Sequence, residues 1–560
     1  MRNTRGSRSR SCSDGAHIVG HKTQRAPTKP SRRDVQCVNL AGLPPENQRA
    51  PRRHRLSNAV VSRLGRLTPT VIRAALALLP AVAAFWAGAC FVWNHFLTGP
   101  YLLDSGWFSA LVYRAGVFPD NPPCTNSLRE YFGLHLAPLL SLASLLSPAV
   151  PLGRVEYYCL FQGLIYAPLG GVTALLARPR GLDRTWGGAA LVLGTSLLFA
   201  FNGQVLACLA YPHFEIFLAA GLCVLLAGVA AGRPGIAWLG LVMAVATRED
   251  GGFHVAAFAL MALACSVTGR PFPIARRTLV ALFSVGLLAS VAALVSQRVF
   301  FEPGNLFEHL YTGSPPYAHV SLALVRARLE LLPGKAAFMV WPFVATIALA
   351  IAARDARYLL GWLAELPWFV LNLLAVEELK SAFTIYTGFP FVASLFWVGA
   401  YGQVGRALLG RQRWLSALSL VSGLATGGMY WSYPEPFVHL VQQASVPADV
   451  PHAGIAEFGA RLEQNPNAYG RVLVDRGVAS WAVTSLPAER CVSSLSALPA
   501  LNAFDGFAFF RGGSLGPDVV RFITQSPYSR CGRIRSTDVF MCVRPGKPLL
   551  RPFEPANLAR

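Results

Sequence analysis

The sequence predicts an all-α polytopic membrane protein of about eleven transmembrane helices, followed by a small C-terminal α/β domain. Of its 560 residues, 53% are hydrophobic and only 14% are charged, a balance typical of membrane proteins. Apolar runs of about 20 residues, the length that crosses roughly 30 Å of hydrocarbon, recur between residues 69 and 431. After this point the composition is that of a soluble domain. The predicted domains are therefore 1–66, 67–433 and 434–560.

The first 66 residues form a strongly basic segment. They contain fifteen Lys or Arg and three acidic residues, which gives +12 of the formal net charge of +22. The segment is rich in Arg, Ser and Pro and lacks periodicity, as is typical of a disordered tail. Because more than half of the excess charge lies in this predicted cytoplasmic tail, we assign no nucleic-acid partner.

Eleven apolar segments are predicted to cross the bilayer. The fifth covers only about 20 Å at 1.5 Å per residue, so the charges that follow it are predicted to lie below the membrane surface, in a protein-lined cavity. The predicted spans are 69–97, 156–177, 187–208, 214–231, 235–247, 252–268, 278–297, 334–352, 358–376, 387–405 and 414–431.

A twelfth apolar segment, 133–150, is predicted to be a surface helix. Pro138 and Pro148 within 18 residues disfavour a full crossing. Excluding this segment from the spans also places twelve arginines inside, as the positive-inside rule requires, whereas including it places all twelve outside. The amino terminus is then cytoplasmic, and the C-terminal domain lies outside the cytoplasmic (inner) membrane. The twelve are Arg178, Arg180, Arg184, Arg233, Arg270, Arg276, Arg277, Arg354, Arg357, Arg406, Arg411 and Arg413.

Ionisable residues collect at the external ends of the predicted spans. Asp104 follows the first span, where a carboxylate can act as a general base or ligate a cation, although it can equally be a helix N-cap. His135 opens the surface helix. His213 and Glu215 lie in a short turn between spans, either as functional groups or as a pair with each other or with Arg248.

Two further groups complete the predicted external cluster. Arg248, Glu249 and Asp250 combine a possible phosphate ligand with two carboxylates, and the alternative is an ion-pair cluster that joins two helices. Lys380 and Tyr386 lie in the turn 377–386. We predict Asp104, His213 and Glu215 as catalytic. The predicted substrate- or phosphate-binding residues are His135, Arg248, Glu249, Asp250, Lys380 and Tyr386.

The C-terminal segment, 434–560, begins with a helical pattern and continues with short buried-strand patterns at 470–475, 507–510 and 538–543. It has no phosphate loop, nucleophile elbow or zinc spacing, and we interpret it as a lid or partner-binding module. Cysteines at 491, 531 and 542 allow a disulfide in an oxidising compartment, with the pairing left open.

Four short patterns carry a family resemblance. In order, they are Asp104-Ser-Gly106-Trp-Phe108, Gly133-Leu-His135-Leu-Ala-Pro138, His213-Phe-Glu215 and Arg248-Glu249-Asp250-Gly251. They resemble the motifs Asp-Leu-Gly-x-Phe, Gly-Asp-His-Phe-x-Pro, Phe-His-Pro-Glu and Lys-Glu-Asp of a prokaryotic family of membrane proteins without assigned function. This chain departs from that family at Leu134, Phe214 and Arg248, and it lacks a histidine near Tyr386.

That family is similar in turn to the GT-C superfamily of membrane glycosyltransferases, which use a polyprenyl-phosphate-linked sugar as donor. The resemblance implies that Asp104 is the base, that His213 or Glu215 is a second polar or metal-binding group, and that Arg248 binds the lipid phosphate. The expected partners are the lipid bilayer, the lipid-linked sugar and an extracytoplasmic acceptor. The cofactor is unknown, and a divalent metal ion on Asp104, His213 and Glu215 is one option. A transporter with a buried charged pathway and a non-catalytic envelope assembly protein are the alternatives.

Overall fold

The structure is a computed structural model of the chain. It divides into two compact units, Met1–Val61 and Ser62–Arg560, and the second contains both the apolar helices and the C-terminal sheet. The described residues are 53–97, 103–122, 124–125, 128–177, 181–269, 271–301, 304, 307–384, 386–404, 413–432, 451–464, 470–482, 490–492, 503–511, 517, 520–522, 530–535 and 537–556.

Helices form most of the described chain. Between residues 53 and 300 they are α1 (Arg53–Leu97), α2 (Leu103–Leu111), α3 (Pro138–Leu146), α4 (Arg154–Ala177), α5 (Trp186–Ala200), α6 (Gly203–Leu209), α7 (Ile216–Ala230), α8 (Pro234–Thr247), α9 (Gly251–Val267) and α10 (Arg276–Phe300). The later ones are α11 (Leu322–Lys335), α12 (Ala337–Ala353), α13 (Leu360–Ala364), α14 (Leu366–Leu373), α15 (Glu378–Ser381), α16 (Phe389–Val404), α17 (Arg413–Ser432), α18 (Pro451–Gln464) and α19 (Arg476–Ala482).

The start of α1 corrects the prediction of a disordered tail up to residue 66. The helix begins at Arg53, where Leu56, Val60 and Leu64 recur every four residues, a helical period that the charge of the segment obscured. The rest of the predicted tail, residues 1–52, lies outside the described residues.

Four helical segments in the described part of the chain are long and apolar enough to cross a membrane: Pro69–Phe96, Arg154–Ala177, Arg276–Phe300 and Glu378–Val404, the last of which comprises α15 and α16. Two bent pairs raise this number to six if each is one span: α5 with α6, bent by 46°, and α11 with α12, bent by 91°. The other apolar helices are shorter, and α3 with its 3-10 extension is among them. Several helices are therefore compatible with a membrane protein.

Two predicted spans are interrupted. The segment 187–208 bends where Asn202 accepts hydrogen bonds from the backbone N–H groups of Gln204 and Val205 and so starts a new helix. The prediction of one continuous helix over 358–376 is wrong, because the chain forms a short 3-10 turn, α13 and α14. The break falls at Glu365, and a proline occupies the first turn of α14.

Helix α7 lies at the centre of the bundle and packs against α4, α8 and α16. Its contact with α8 depends on glycine, since a Cβ atom at Gly240 would lie 2.3 Å from the backbone nitrogen of Leu225. Small residues permit the same close approach of backbones in membrane helices. This packing brings the α6–α7 and α8–α9 turns to the same end of the bundle.

The described residues of the C-terminal domain form a six-stranded mixed sheet, as expected for an α/β domain. Its strands are β1 (Val472–Asp475), β2 (Cys491–Val492), β3 (Gly506–Phe510), β4 (Arg530–Arg533), β5 (Val539–Val543) and β6 (Glu554–Pro555). They lie in the order β2-β1-β3-β5-β4-β6, with β1 parallel to β2 and β3 and the other pairs antiparallel.

Two disulfides involve this domain. Cys531 and Cys542 lie opposite each other on β4 and β5 and are bonded. Cys491, on the edge strand β2, is bonded to Cys124 in the loop between α2 and α3. The second bond joins the C-terminal domain covalently to the helical part of the chain.

Candidate functional site

Asp104 lies in the first turn of α2, but its carboxylate does more than start the helix. Its Oδ2 atom accepts a hydrogen bond of 2.8 Å from the Tyr211 hydroxyl and lies 3.8 Å from Nε2 of His213. Burial acts to raise the pKa of Asp104, but the nearby His213 ring and the hydrogen bond from Tyr211 outweigh it and lower the pKa below 3.8. Asp104 is therefore ionised at neutral pH, which is the form that a general base requires.

His213 connects Asp104 to a second carboxylate. Its Nδ1 atom contacts Oε2 of Glu215, so the imidazole lies between the two acids. Aromatic rings fix its orientation: Phe108 approaches edge-on with ring centroids 4.3 Å apart, and Tyr386 stacks at 4.6 Å. The predicted mutual pairing of His213 and Glu215 is thus present, and it forms part of a longer chain of groups.

Arg248 lies between the end of α8 and the start of α9, among carboxylates. Its guanidinium is 3.0 Å from Asp250, 3.7 Å from Glu215 and 4.0 Å from Glu249. The group also lies over the ring of Trp368, at 5.7 Å from the centroid. Arg248 therefore belongs to an ion-pair cluster that joins helices, which was the alternative interpretation of this motif.

Glu249 holds the predicted surface helix against this cluster. One carboxylate oxygen lies 2.9 Å from Nδ1 of His135, and the other accepts a hydrogen bond of 3.0 Å from the backbone N–H of Leu136. These residues directly precede α3, which begins at Pro138. His135 therefore lies three residues before α3, and not in the first turn of a helix as predicted, but it does contact the predicted cluster.

Lys380 and Tyr386 complete the group of residues that the sequence singled out. The Lys380 ammonium donates a hydrogen bond to the Tyr386 hydroxyl and lies 3.5 Å from Glu377. Tyr386 in turn stacks on His213, which links this pair to the Asp104 chain. All nine predicted site residues thus belong to one connected cluster at the α6–α7 and α8–α9 turns.

The sequence reasoning missed a second carboxylate–histidine–carboxylate arrangement. His254, on α9, lies 2.7 Å from the fully buried Glu365 and 3.8 Å from Asp250. Two features of the sequence point to this arrangement. Asp250 and His254 are four residues apart, a spacing that brings side chains together on a helix, and Glu365 is a single acidic residue inside an apolar run. Tyr311, 5.9 Å from the Lys380 ammonium, carried no such signal.

The residues proposed for a metal, Asp104, His213 and Glu215, are close together but do not form a metal-binding group. Within the described ranges, the structure brings no three His, Cys, Asp or Glu side chains into a ligating arrangement. Both ring nitrogens of His213 already face carboxylates, and we assign no cofactor.

Four buried polar atoms in the cluster have no hydrogen-bond partner: Oε1 of Glu215, Nε of Arg248, Oδ1 of Asp250 and Oε1 of Glu365.

Comparisons of the sequence with protein-family models and with curated proteins found no match. The functional argument therefore depends on the geometry and charge of this cluster.

Proposed function

We propose that this protein is a membrane glycosyltransferase that transfers a sugar from a polyprenyl-phosphate carrier to an acceptor outside the cytoplasmic membrane. The observation that carries the proposal is the position of Asp104. Its ionised carboxylate is held by Tyr211 and His213 within the same cluster as two basic side chains, Arg248 and Lys380. Acceptor activation and departure of a lipid phosphate require a base and cations in one water-poor site.

Exposure favours Asp104 over Glu215 and Glu365 as the base. Its side chain is 23% exposed, whereas that of Glu215 is 2% exposed and that of Glu365 is fully buried. A base must reach the hydroxyl proton of its substrate directly or through one water. Asp104 therefore contacts the acceptor, while Glu215 orients His213 from the other side.

Lys380 is the better placed of the two cations for a donor phosphate. Arg248 is surrounded by three carboxylates, and its Nε is the donor that has no partner. Lys380 has one acidic neighbour, Glu377, at 3.5 Å, and its other contact is a neutral tyrosine hydroxyl. We assign the phosphate to Lys380 and Tyr386, with Arg248 contributing through Nε.

The proposal includes the predicted topology of about eleven spans, with the amino end inside and the C-terminal domain outside the inner membrane. The two disulfides support it, since such bonds persist in oxidising compartments, and both lie in segments that the threading places outside. Exposed aromatic residues at helix ends, Trp186 on α5 and Tyr430 and Trp431 on α17, support insertion, because Trp and Tyr favour membrane interfaces.

A transporter is the second candidate, and the buried pair of His254 and Glu365 favours it. Ionisable groups inside apolar helices mark translocation pathways in transporters. Mutation of Glu365 separates the two functions, since a transport pathway requires its charge and the proposed transfer reaction does not use it.

The test uses the purified full chain in nanodiscs with a panel of polyprenyl-phosphate sugars, and it measures release of the lipid phosphate. Asp104→Asn is expected to reduce turnover by at least about 100-fold, the usual contribution of a general base. The matched control is Asp120→Asn, which changes a 63% exposed side chain in the loop after α2 and should leave turnover unchanged. If no donor in the panel is turned over, and the Asp104→Asn strain has a normal envelope glycan profile, the proposal is wrong.

A further inference from the structure

The short helix α19 of the C-terminal domain packs directly on α2, the helix that carries Asp104. The two helices meet closely at Gly106, where a Cβ atom would lie 2.2 Å from Oγ of Ser480 and 2.8 Å from its backbone carbonyl carbon. Real Cβ atoms do not approach other atoms so closely, so this contact requires glycine two residues after Asp104.

Trp481 anchors α19 against the apolar helices. Its buried ring packs on Phe96 at the end of α1, with ring centroids 5.5 Å apart, and on Tyr158 of α4 at 6.4 Å. The backbone carbonyl of Trp481 accepts a hydrogen bond from the Arg154 guanidinium at the start of α4. Large buried aromatic side chains dominate contacts of this kind.

The disulfide between Cys124 and Cys491 reaches the start of the same helix through the sheet. Cys491 lies opposite Val474 in the parallel pairing of β2 with β1, and Asp475 is the last residue of β1. The Asp475 carboxylate accepts a hydrogen bond of 2.8 Å from the N–H of Gly477, in the first turn of α19. The disulfide therefore ties the α2–α3 loop to the paired strands β1 and β2, and α19 directly follows β1.

The opposite side of α2 faces the candidate site. Phe108 packs edge-on against His213, and Trp107 donates a hydrogen bond of 2.9 Å to Asn121. A helix of nine residues is about 14 Å long, too short to hold its position without contacts on both sides. α19 supplies the contact on the side away from His213.

We propose that the C-terminal domain is a positioning element for Asp104. α19 and the Cys124–Cys491 disulfide clamp α2 against the turn that carries Tyr211 and His213, and Gly106, Ser480 and Trp481 are the positioning residues. The clamp goes beyond the proposed reaction, because it sets the geometry of Asp104 whatever the donor or acceptor is.

Hydrogen–deuterium exchange of the full chain in nanodiscs tests the clamp without any substrate. Gly106→Val and the double variant Cys124→Ser/Cys491→Ser are expected to speed exchange of the α2 amides, residues 103–111, by at least about 10-fold. Exchange in α7, at the centre of the bundle, should stay at the wild-type rate. The matched control, Cys531→Ser/Cys542→Ser, removes the disulfide inside the sheet and should leave α2 unchanged.

A rescue variant separates a steric clamp from general damage. Gly106→Ala should loosen α2. Gly106→Ala/Ser480→Gly should restore part of its protection, because it removes the Oγ and Cβ atoms of Ser480, two of the three nearest neighbours of the new Cβ, while the backbone carbonyl carbon at 2.8 Å remains. Unchanged α2 exchange in Gly106→Val and in the Cys124/Cys491 variant would overturn the proposal, as would equal loss of protection in α7. Neither outcome depends on turnover, so failure of the clamp and failure of the transferase proposal are distinguishable.

Discussion

Replacement of Arg248 by methionine tests whether the site is held together by charge. The guanidinium is 9% exposed and lies within 4.0 Å of three carboxylates, on Glu215, Glu249 and Asp250. Removing one partner of a buried ion pair costs about 3–5 kcal/mol, since the remaining charges stay buried without compensation. Methionine fills a similar volume, so we expect the free energy of unfolding to fall by about this amount at pH 7.5.

The pH dependence of that loss checks its electrostatic origin. In the wild type, burial acts to raise the pKa of Asp250, but Arg248 and the neighbouring histidines lower it below 3.8. A depressed pKa contributes stability above the unfolded value, and this contribution is lost as the pH falls. Without Arg248 the buried carboxylates take up protons at higher pH. The deficit of Arg248→Met should therefore shrink between pH 7.5 and pH 5.

Unfolding can be followed through the buried thiols of Cys223 and Cys265, with a disulfide-based probe that also reacts at acid pH. The matched control is Arg326→Ala, which breaks an exposed pair with Glu330 and should cost less than about 1 kcal/mol. A deficit of Arg248→Met that equals that of the control, or one that does not change with pH, would refute the electrostatic account.

Two further predictions concern other buried acids. Burial raises the pKa of Asp475 from 3.8 to about 6, so between these values the folded state binds more protons than the unfolded state. The free energy of unfolding therefore falls by at most about 3 kcal/mol as the pH rises from about 4 to 6. Asp475→Asn should remove this fall, measured as heat-induced proteolysis of the C-terminal domain at pH 4.5 and 8; an equal fall in the variant would contradict it. Glu365→Gln should lower the free energy of unfolding by about 1–3 kcal/mol, because it weakens the contact with His254. The control Glu330→Gln changes an exposed side chain and should lower it by almost nothing. Equal thermal stability of the two variants would exclude a buried ion pair.

The sequence was sufficient to predict the cluster because the predicted site residues fall at the ends of apolar segments. Asp104, His213 and Arg248 each follow or precede a run whose length and hydropathy are visible without a structure. Once consecutive helices pack side by side, turns at the same end must meet. The predicted strand patterns in the C-terminal domain succeeded for a similar reason, since β1, β3 and β5 are buried on both faces.

Other features depend on contacts between distant segments, which no local pattern encodes. The pairing of His254 with Glu365 joins residues 111 positions apart, and the disulfide partner of Cys491 lies 367 positions away. The break at Glu365 was missed because the surrounding residues are apolar enough to predict an uninterrupted helix. The contact of Ser480 with Gly106 was equally invisible, although the glycine itself stood inside a noted motif.

The charge of the cluster constrains any reaction that it performs. Among the described residues, the cluster contains six carboxylates and two basic side chains, Arg248 and Lys380. The carboxylates are those of Asp104, Glu215, Glu249, Asp250, Glu365 and Glu377. A phosphate-bearing ligand would add negative charge to a site that already has an excess. Its binding must be balanced by protons on the neighbouring histidines or by a cation that enters with the ligand. His213 lies between Asp104 and Glu215 and under the ring of Tyr386, where the proposed base and the proposed phosphate site meet. Burial lowers its pKa to about 4, so its ring takes up a proton only if the charge of the ligand outweighs the cost of burying the imidazolium.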